Sequence, residues 1–359
     1  VIEISSLNHI PLSQSLITGQ AILIPHRRKT IGSLGYFHLD DLKGLERSLA
    51  KIGRFFTFGA LFQFPMTTGG AMLIPMNDDI VNAINLLKSF DIAPLLVLTN
   101  LTTEKFDGDL AKAIINDETM KALLIRNLLF LLKNYGFSGV NVDFENVYPE
   151  DRQSFSNFIR DLKQILGPEG YLVTLTVPPK NSDDSESRSK GAYDYQALGQ
   201  WADLVFIMTY DWGYIGGPPM AVSPINEVRK VLAYAITKIP PYKIIQGIPL
   251  YGYNWQLPYG PGSRTTAVNL VDVYDLARRY HAVIDYDLVA QSPNFRYTSE
   301  DGKEHIVWFE DARSVKVKYK TALNFNLGGV GFWSSKNSPY GFPQNWVIFD
   351  EMFQPVKEG

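Results

Sequence analysis

From about Thr30 onward the chain alternates short apolar, β-rich runs with stretches in which apolar residues return every three or four positions. Residues two apart share one face of a strand, and residues three or four apart share one face of a helix, so the pattern is that of repeated strand–helix units around a parallel sheet. Strands are predicted at residues 31–38, 55–62, 92–99, 139–144, 171–177, 204–210, 244–250 and 330–333. Helices are predicted at 78–90, 118–135, 150–166, 224–237 and 313–326. Eight strands with helices between or after them favour an α/β fold, a (β/α)8 TIM barrel, over an open doubly wound sheet.

The stretch between the seventh and eighth strands is too long for one helix and a turn. Its extra portion, about 254–311, holds a helical piece at 271–280 and strand-like pieces at 295–297 and 306–309, with Ser299-Glu300-Asp301-Gly302 as the turn between them. We read it as a small α+β insertion on the barrel's catalytic face. The alternative is a long structured loop, which is uncommon without a functional reason.

Charge and composition then remove whole classes of function. A net charge of −3 over 359 residues, with no long run of Lys and Arg, leaves no electrostatic footprint for nucleic acid. The longest apolar stretches, such as 92–98, are strand length, short of the roughly 20 residues a bilayer span needs. No signal peptide is visible, and with Val1 in place of an initiating Met that says little about export. The absence of cysteine excludes disulfides and thiolate metal sites and is compatible with an exported bacterial protein. Five scattered His residues show no metal-ligand spacing, and no phosphate-binding Gly loop is present, so neither a metal nor a cofactor is expected. Aromatic content of 13% exceeds what a core usually needs, and flat rings are the platforms that sugar-binding clefts use.

The chemistry concentrates in Phe137-Ser138-Gly139-Val140-Asn141-Val142-Asp143-Phe144-Glu145-Asn146-Val147. In a strand, Asn141, Asp143 and Glu145 point one way while Val140, Val142 and Phe144 point the other. If the apolar set faces the helices, the polar set points into the barrel, where carboxyl and amide groups are costly unless hydrogen-bonded or functional. Glu145 falls at the carboxyl end of the strand, the end at which barrel enzymes place catalytic groups.

This stretch resembles the Asp-Gly-x-Asp-x-Asp-x-Glu signature of glycoside hydrolase family 18, the chitinase family. Ser138 stands for the first Asp and Asn141 for the second, while Asp143 and Glu145 match. Met208-Thr209-Tyr210-Asp211 resembles the family's Met-x-Tyr-Asp at the sixth strand, and Gly328-Gly329-Val330-Gly331-Phe332-Trp333 is similar to its eighth strand. The resemblance spans 30–353 and implies a substrate-assisted retaining mechanism. Glu145 would protonate the leaving oxygen and later activate water. Asp143 would orient the substrate's acetamido group, and Tyr210 would hold its carbonyl. Asn141, Asp211 and Met208 would help bind the sugar, Trp333 would form the floor beneath it, and Tyr36 a neighbouring wall. Asn141 would alter the pH profile, because an amide cannot share a proton with Asp143, which should then stay simply ionised.

Within the family, the runs 139–147, 208–214 and 308–314 look most like spore cortex-lytic peptidoglycan N-acetylglucosaminidases. Residues 1–27 resemble the later part of a LysM wall-binding repeat through Asn8 and the run from Gly19-Gln20 to Ile24-Pro25. An arm packed on the barrel is the alternative for them. The resemblance therefore implies a catalytic barrel over 28–359, a monomer acting on peptidoglycan or a chitin-like polysaccharide outside the cytoplasm of a bacterium. Chitinase or endo-N-acetylglucosaminidase action on another glycan, and a non-catalytic chitinase-like lectin, remain as alternatives.

Overall fold

The computed structural model describes residues 5, 11–15, 28–103, 105–333 and 343–357. The LysM-like segment 1–27 lies outside the described residues apart from Ser5 and 11–15.

Seven parallel strands follow one another: β1 (Lys29–His38), β2 (Phe58–Pro65), β3 (Ala93–Thr99), β4 (Gly139–Asp143), β5 (Leu172–Val177), β6 (Leu204–Ile207) and β7 (Ile244–Pro249). The chain then leaves the barrel for β8 (Tyr251–Leu257), β9 (Thr265–Asn269), β10 (Asp285–Asp287), β11 (Ser292–Thr298) and β12 (Glu304–Trp308). It returns as β13 (Gly329–Trp333), which pairs in parallel with both β7 and β1 and closes an eight-stranded barrel. A short β14 (Phe353–Pro355) extends the sheet beside the start of β1. No helix among the described residues is long and apolar enough to cross a membrane.

Helices α1 (Leu42–Ile52), α2 (Asn77–Ser89), α3 (Gly108–Ile115), α4 (Glu118–Tyr135), α5 (Arg152–Leu166), α6 (Tyr195–Trp201), α7 (Ile225–Ala235), α8 (Leu270–Arg279), α9 (Ala312–Asn324) and α10 (Pro343–Met352) complete the chain. The helix α4 shows how local signals set the ends. The Asp117 carboxylate accepts from the backbone N–H groups of Thr119 and Met120, and Gly136, at φ 75°, turns the chain left-handed to end the helix. Leu124, Ile125, Leu128, Leu131 and Leu132 form its buried stripe.

Strand alternation divides the core into two layers. Val140, Val142 and Phe144 face outward into the helix layer, where Phe144 stacks on Phe158 of α5 with centroids 5.6 Å apart. Leu34, Tyr36, Ala60, Leu95, Val97, Phe206 and Ile245 fill the barrel interior. Gly139 is required where β4 meets β5, because a Cβ there would lie 2.3 Å from the Leu172 carbonyl oxygen.

Three departures from the sequence reading have local causes. The apolar pair Phe55-Phe56 is core but precedes β2: a 3-10 turn over Gly53–Phe55 delivers Phe55 onto Trp346 and Phe349 of α10. The sixth strand stops at Ile207 and not at 210, because the N–H groups of Thr209 and Tyr210 turn back to the carbonyls of Ile207 and Met208. The region between β7 and β13 contains a five-stranded antiparallel sheet in the order β10-β11-β12-β8-β9 with α8 packed on it, three strands more than the hydrophobic pattern reveals. Because β8 follows β7 after a single residue, Tyr251, Tyr253 and Trp255 continue the barrel's inner layer upward into that sheet.

Candidate active site

At the carboxyl ends of the barrel strands, a pocket of about 320 Å³ is lined by Tyr36, Phe106, Asp143, Glu145, Thr176 and Pro178, and on its other side by Pro179, Lys190, Met208, Tyr210, Asp211 and Trp333. Seven of the eight residues singled out from the sequence therefore meet in one place. The exception is Asn141. It is completely buried beneath the pocket and does not line it, so it is corrected from a sugar contact to a support.

The support is a closed polar cluster inside the barrel. The Tyr36 hydroxyl lies 2.6 Å from Thr176 Oγ1 and donates to Asn141 Oδ1 at 3.1 Å. Asn141 Nδ2 donates to Thr174 Oγ1 at 3.0 Å. With these bonds Asn141 has its partners, and a buried amide costs little. The Tyr36 hydroxyl is likewise used from within, which leaves the ring as the part available to the pocket. That ring meets Trp333 edge to face at 5.2 Å, and Phe62 packs on the other side of the indole at 5.0 Å.

Asp143 sits one step above, only 5% exposed, with Oδ1 buried and without a partner. Burial pushes its carboxyl well above the usual carboxylate range, and the negative charge of Glu145 pushes the same way. This corrects the expectation of a simply ionised Asp143. Asn141 spends its amide on Tyr36, Thr174 and Thr176, and so supplies no donor that would hold the charge.

Glu145 stands two residues past the end of β4, half-buried. Its carboxyl is raised to about 7, first by burial and then by the charge of Asp211. Asn100, just past β3, grips its backbone, and Tyr193 donates to the neighbouring Phe144 carbonyl at 2.9 Å. Asp211 adopts a left-handed backbone at φ 60°, which Asp tolerates better than most residues. Its Oδ1 accepts from Tyr251 at 2.8 Å and Tyr253 at 3.2 Å, both on β8, so the insertion takes part in building the site. Tyr210, buried at the side of the pocket, is kept neutral by burial and by the charges around it.

A carboxyl that titrates near neutrality can give and take a proton at physiological pH. Beside it stand a second carboxyl with a free acceptor, a tyrosine hydroxyl and an aromatic floor. This is a donor set for acid–base chemistry on a polar ring. The sequence profile of glycosyl hydrolases family 18 matches residues 104–337, which include the ends of β4, β6 and β13. The chain belongs to glycosyl hydrolases family 18. It is a glycoside hydrolase built on the family's barrel.

Relatives within the family have a narrower character. A cortical fragment-lytic enzyme of Bacillus anthracis is 37% identical over 336 residues, covering 92% of this chain and 77% of that protein. The crystal structure of the Bacillus cereus spore cortex-lytic enzyme SleL superposes with a TM-score of 0.88 at 36% identity, covering all of this chain and 82% of the other. A chitinase from Chromobacterium violaceum gives a TM-score of 0.80 at 29% identity, covering 90% of this chain and 98% of that one.

Sequence reasoning missed Asn100, Phe106, Thr176, Pro178, Pro179 and Lys190. Thr176 lies in β5 and Asn100, Pro178 and Pro179 just beyond β3 and β5, on either side of β4 in the barrel, while Phe106 and Lys190 come from the loops that follow those two strands. For Thr176, Pro178 and Pro179, a position at the end of a strand adjoining β4 is the signal that would have found them. Among the described residues no group of His, Cys, Asp and Glu gathers as a metal site.

Proposed function

We propose that this glycoside hydrolase cleaves β-1,4 bonds of N-acetylglucosamine-containing peptidoglycan, spore cortex in particular, by a substrate-assisted retaining mechanism. The observation that carries the mechanism is the pairing of Glu145, raised to about 7, with a buried Asp143 whose Oδ1 has no partner. Glu145 is protonated over much of the physiological range and donates to the glycosidic oxygen as the bond breaks. The substrate's acetamido oxygen attacks the anomeric carbon, and its N–H supplies the bond that Asp143 Oδ1 lacks. The positive charge that grows on the oxazolinium ring favours the carboxylate form of Asp143, which accepts from the ring N–H and stabilises it. Glu145, now a carboxylate, takes a proton from the water that opens the ring. Tyr210 holds the acetamido carbonyl, Asp211 and Met208 contact the sugar, and Trp333, with the Tyr36 ring behind it, forms the apolar floor.

The cortex assignment rests on the relatives named for cortex lysis, which match this chain over nearly its whole length. In this reading 28–359 forms the catalytic barrel with its insertion at about 254–311, residues 1–27 belong to a LysM-like wall-binding segment, and the protein acts as a monomer outside the cytoplasm.

The test is mass-spectrometric product analysis with cortex muropeptides and, separately, chitin oligosaccharides, using Glu145→Gln as control. Fragments ending in reducing N-acetylglucosamine, absent with the control, are expected from cortex material. Cleavage of chitin alone would keep the mechanism and replace the substrate. Cleavage of neither would favour a lectin.

A further inference from the structure

The loop after β5, residues 178–194, contributes Lys190, the single cation in the pocket wall among the described residues. Lys190 is half-buried, yet its ammonium has neither an ion pair nor a hydrogen bond among the described residues. Other cations at the same loop have ordinary structural roles. Lys180 Nζ donates to Asp183 Oδ1 at 2.9 Å and to the Tyr193 carbonyl at 2.8 Å. Arg152 of α5 pairs with Asp183 at 2.9 Å and Asp194 at 2.8 Å, and donates to the Gly191 carbonyl at 2.7 Å. These bonds fasten the chain on both sides of Lys190, and its own N–H and C=O bond to Ser187 O and Tyr193 N. The root of the side chain is fixed while its charged end is left unmatched. A partly desolvated cation without a counter-ion is a cost that burial and the nearby Lys180 charge both increase, in keeping with a lowered ammonium pKa.

A ligand anion removes that cost. We infer that Lys190 recognises a carboxylate carried by the bound glycan and selects acid-bearing N-acetylglucosamine polymers over neutral ones. The inference rests on the proposed peptidoglycan reading, in which each N-acetylglucosamine adjoins a sugar with an O3-lactyl group. The carboxylate can come from that lactyl group when it is free, or from the terminus of a peptide attached to it.

The test is calorimetric binding to the full chain carrying Glu145→Gln, which prevents turnover. The ligands are an alternating tetrasaccharide with free lactyl acids, its methyl ester, and a peptide-bearing form whose lactyl groups are amide-linked. The acid is expected to bind about tenfold more tightly than the ester, the scale of a charge-assisted hydrogen bond at a half-buried site. The gap should narrow in high salt, vanish in Lys190→Met and survive in Lys190→Arg. If the peptide-bearing form keeps a Lys190-dependent advantage over the ester, the peptide terminus is the source; if it loses it, the lactyl acid is. Equal binding of all three ligands, or an advantage over the ester that persists in Lys190→Met, would overturn the inference. An acid–ester gap in a protein that cleaves no muropeptide would leave Lys190's role standing and remove the proposed substrate.

Discussion

Asn100 holds Glu145 by its backbone in both directions: Asn100 Nδ2 donates to the Glu145 carbonyl at 2.8 Å, and the Glu145 N–H donates to Asn100 Oδ1 at 2.9 Å. The same Nδ2 also donates to the Asp107 carbonyl at 2.9 Å, tying the loop that carries Phe106 to the carboxyl end of β4. A side-chain amide thereby replaces the strand pairing that ends at Thr99 and Asp143. Asn100→Ala breaks three bonds at a buried position and should cost about 2–4 kcal/mol of stability. Its kcat should fall more than KM rises, since the displaced group is the proposed proton donor. Steady-state kinetics beside thermal unfolding test this, and equal activity at reduced Tm would show that the clamp serves stability alone.

The position of Glu145 near 7 gives both activity and stability a pH dependence. Protonation of the leaving oxygen needs the acid form, so kcat/KM should decline as pH rises through about 7. For stability, the folded value lies above the unfolded carboxyl value, so the proton is bound more tightly in the folded state. The contribution is intact below the unfolded value and is lost as pH rises through about 7. Glu145→Gln removes the loss and should raise stability by on the order of 2–3 kcal/mol at pH 8, shrinking toward zero by pH 4. Chemical denaturation at several pH values reads the difference. A variant less stable than the wild type at pH 8 would contradict the assigned environment.

What could be read in advance follows from how each part is buried. The strands β3, β4, β5 and β7 are buried on both faces and appear as continuous apolar runs, or as the alternation around Asn141 and Asp143, with little room for another reading. In the insertion, β9 and β10 are short, polar and half-exposed, and the pairing of its sheet is visible only once β8 is placed beside β12 and β9. The short helices α3 and α6 have eight and seven residues, less than the period needs to declare itself. In the site, Asp143 and Glu145 stand out because the alternation of β4 sets them on one face at its carboxyl end, and Tyr210 through the resemblance of its run to Met-x-Tyr-Asp. Asn100 and Lys190 acquire meaning from bonds made, or left unmade, across the barrel mouth, and nothing in their local sequence declares this.

The insertion reaches the site through Tyr251 and Tyr253, whose hydroxyls both donate to Asp211 Oδ1. Asp211 is held in a left-handed conformation at an open part of the pocket, so those two bonds fix which way its carboxylate faces. Tyr251→Phe removes the shorter bond and should lower kcat/KM about tenfold, chiefly through KM if Asp211 binds the sugar in ground and transition states alike. Tyr253→Phe, losing the longer bond, should have the smaller effect. Measured KM values that rank the two variants in the opposite order would argue against this geometry.

Where the insertion rejoins the barrel, Glu310 and Lys318 form an ion pair with both side chains fully buried and Nζ 2.7 Å from Oε2. Glu310 Oε1 has no partner, so the pair is incompletely satisfied, and burial raises the Glu310 carboxyl despite the ammonium beside it. Such a pair contributes less to net stability than its geometry suggests, but removing one half leaves a charge with no solvent and no partner. Lys318→Met should therefore cost about 3–5 kcal/mol near neutral pH. The loss should be smaller at pH 5, because Glu310 freed from the ammonium rises further and takes up a proton more readily, and a raised carboxyl stabilises the fold only on the acid side. The double variant Glu310→Leu with Lys318→Met should recover much of the loss, since neither charge is then buried alone. Denaturant titrations of the wild type and the two variants at pH 5 and pH 8 separate the possibilities. A single variant as stable as the wild type at pH 8 would mean that water reaches Glu310 and that the junction between insertion and barrel is looser than its packing implies.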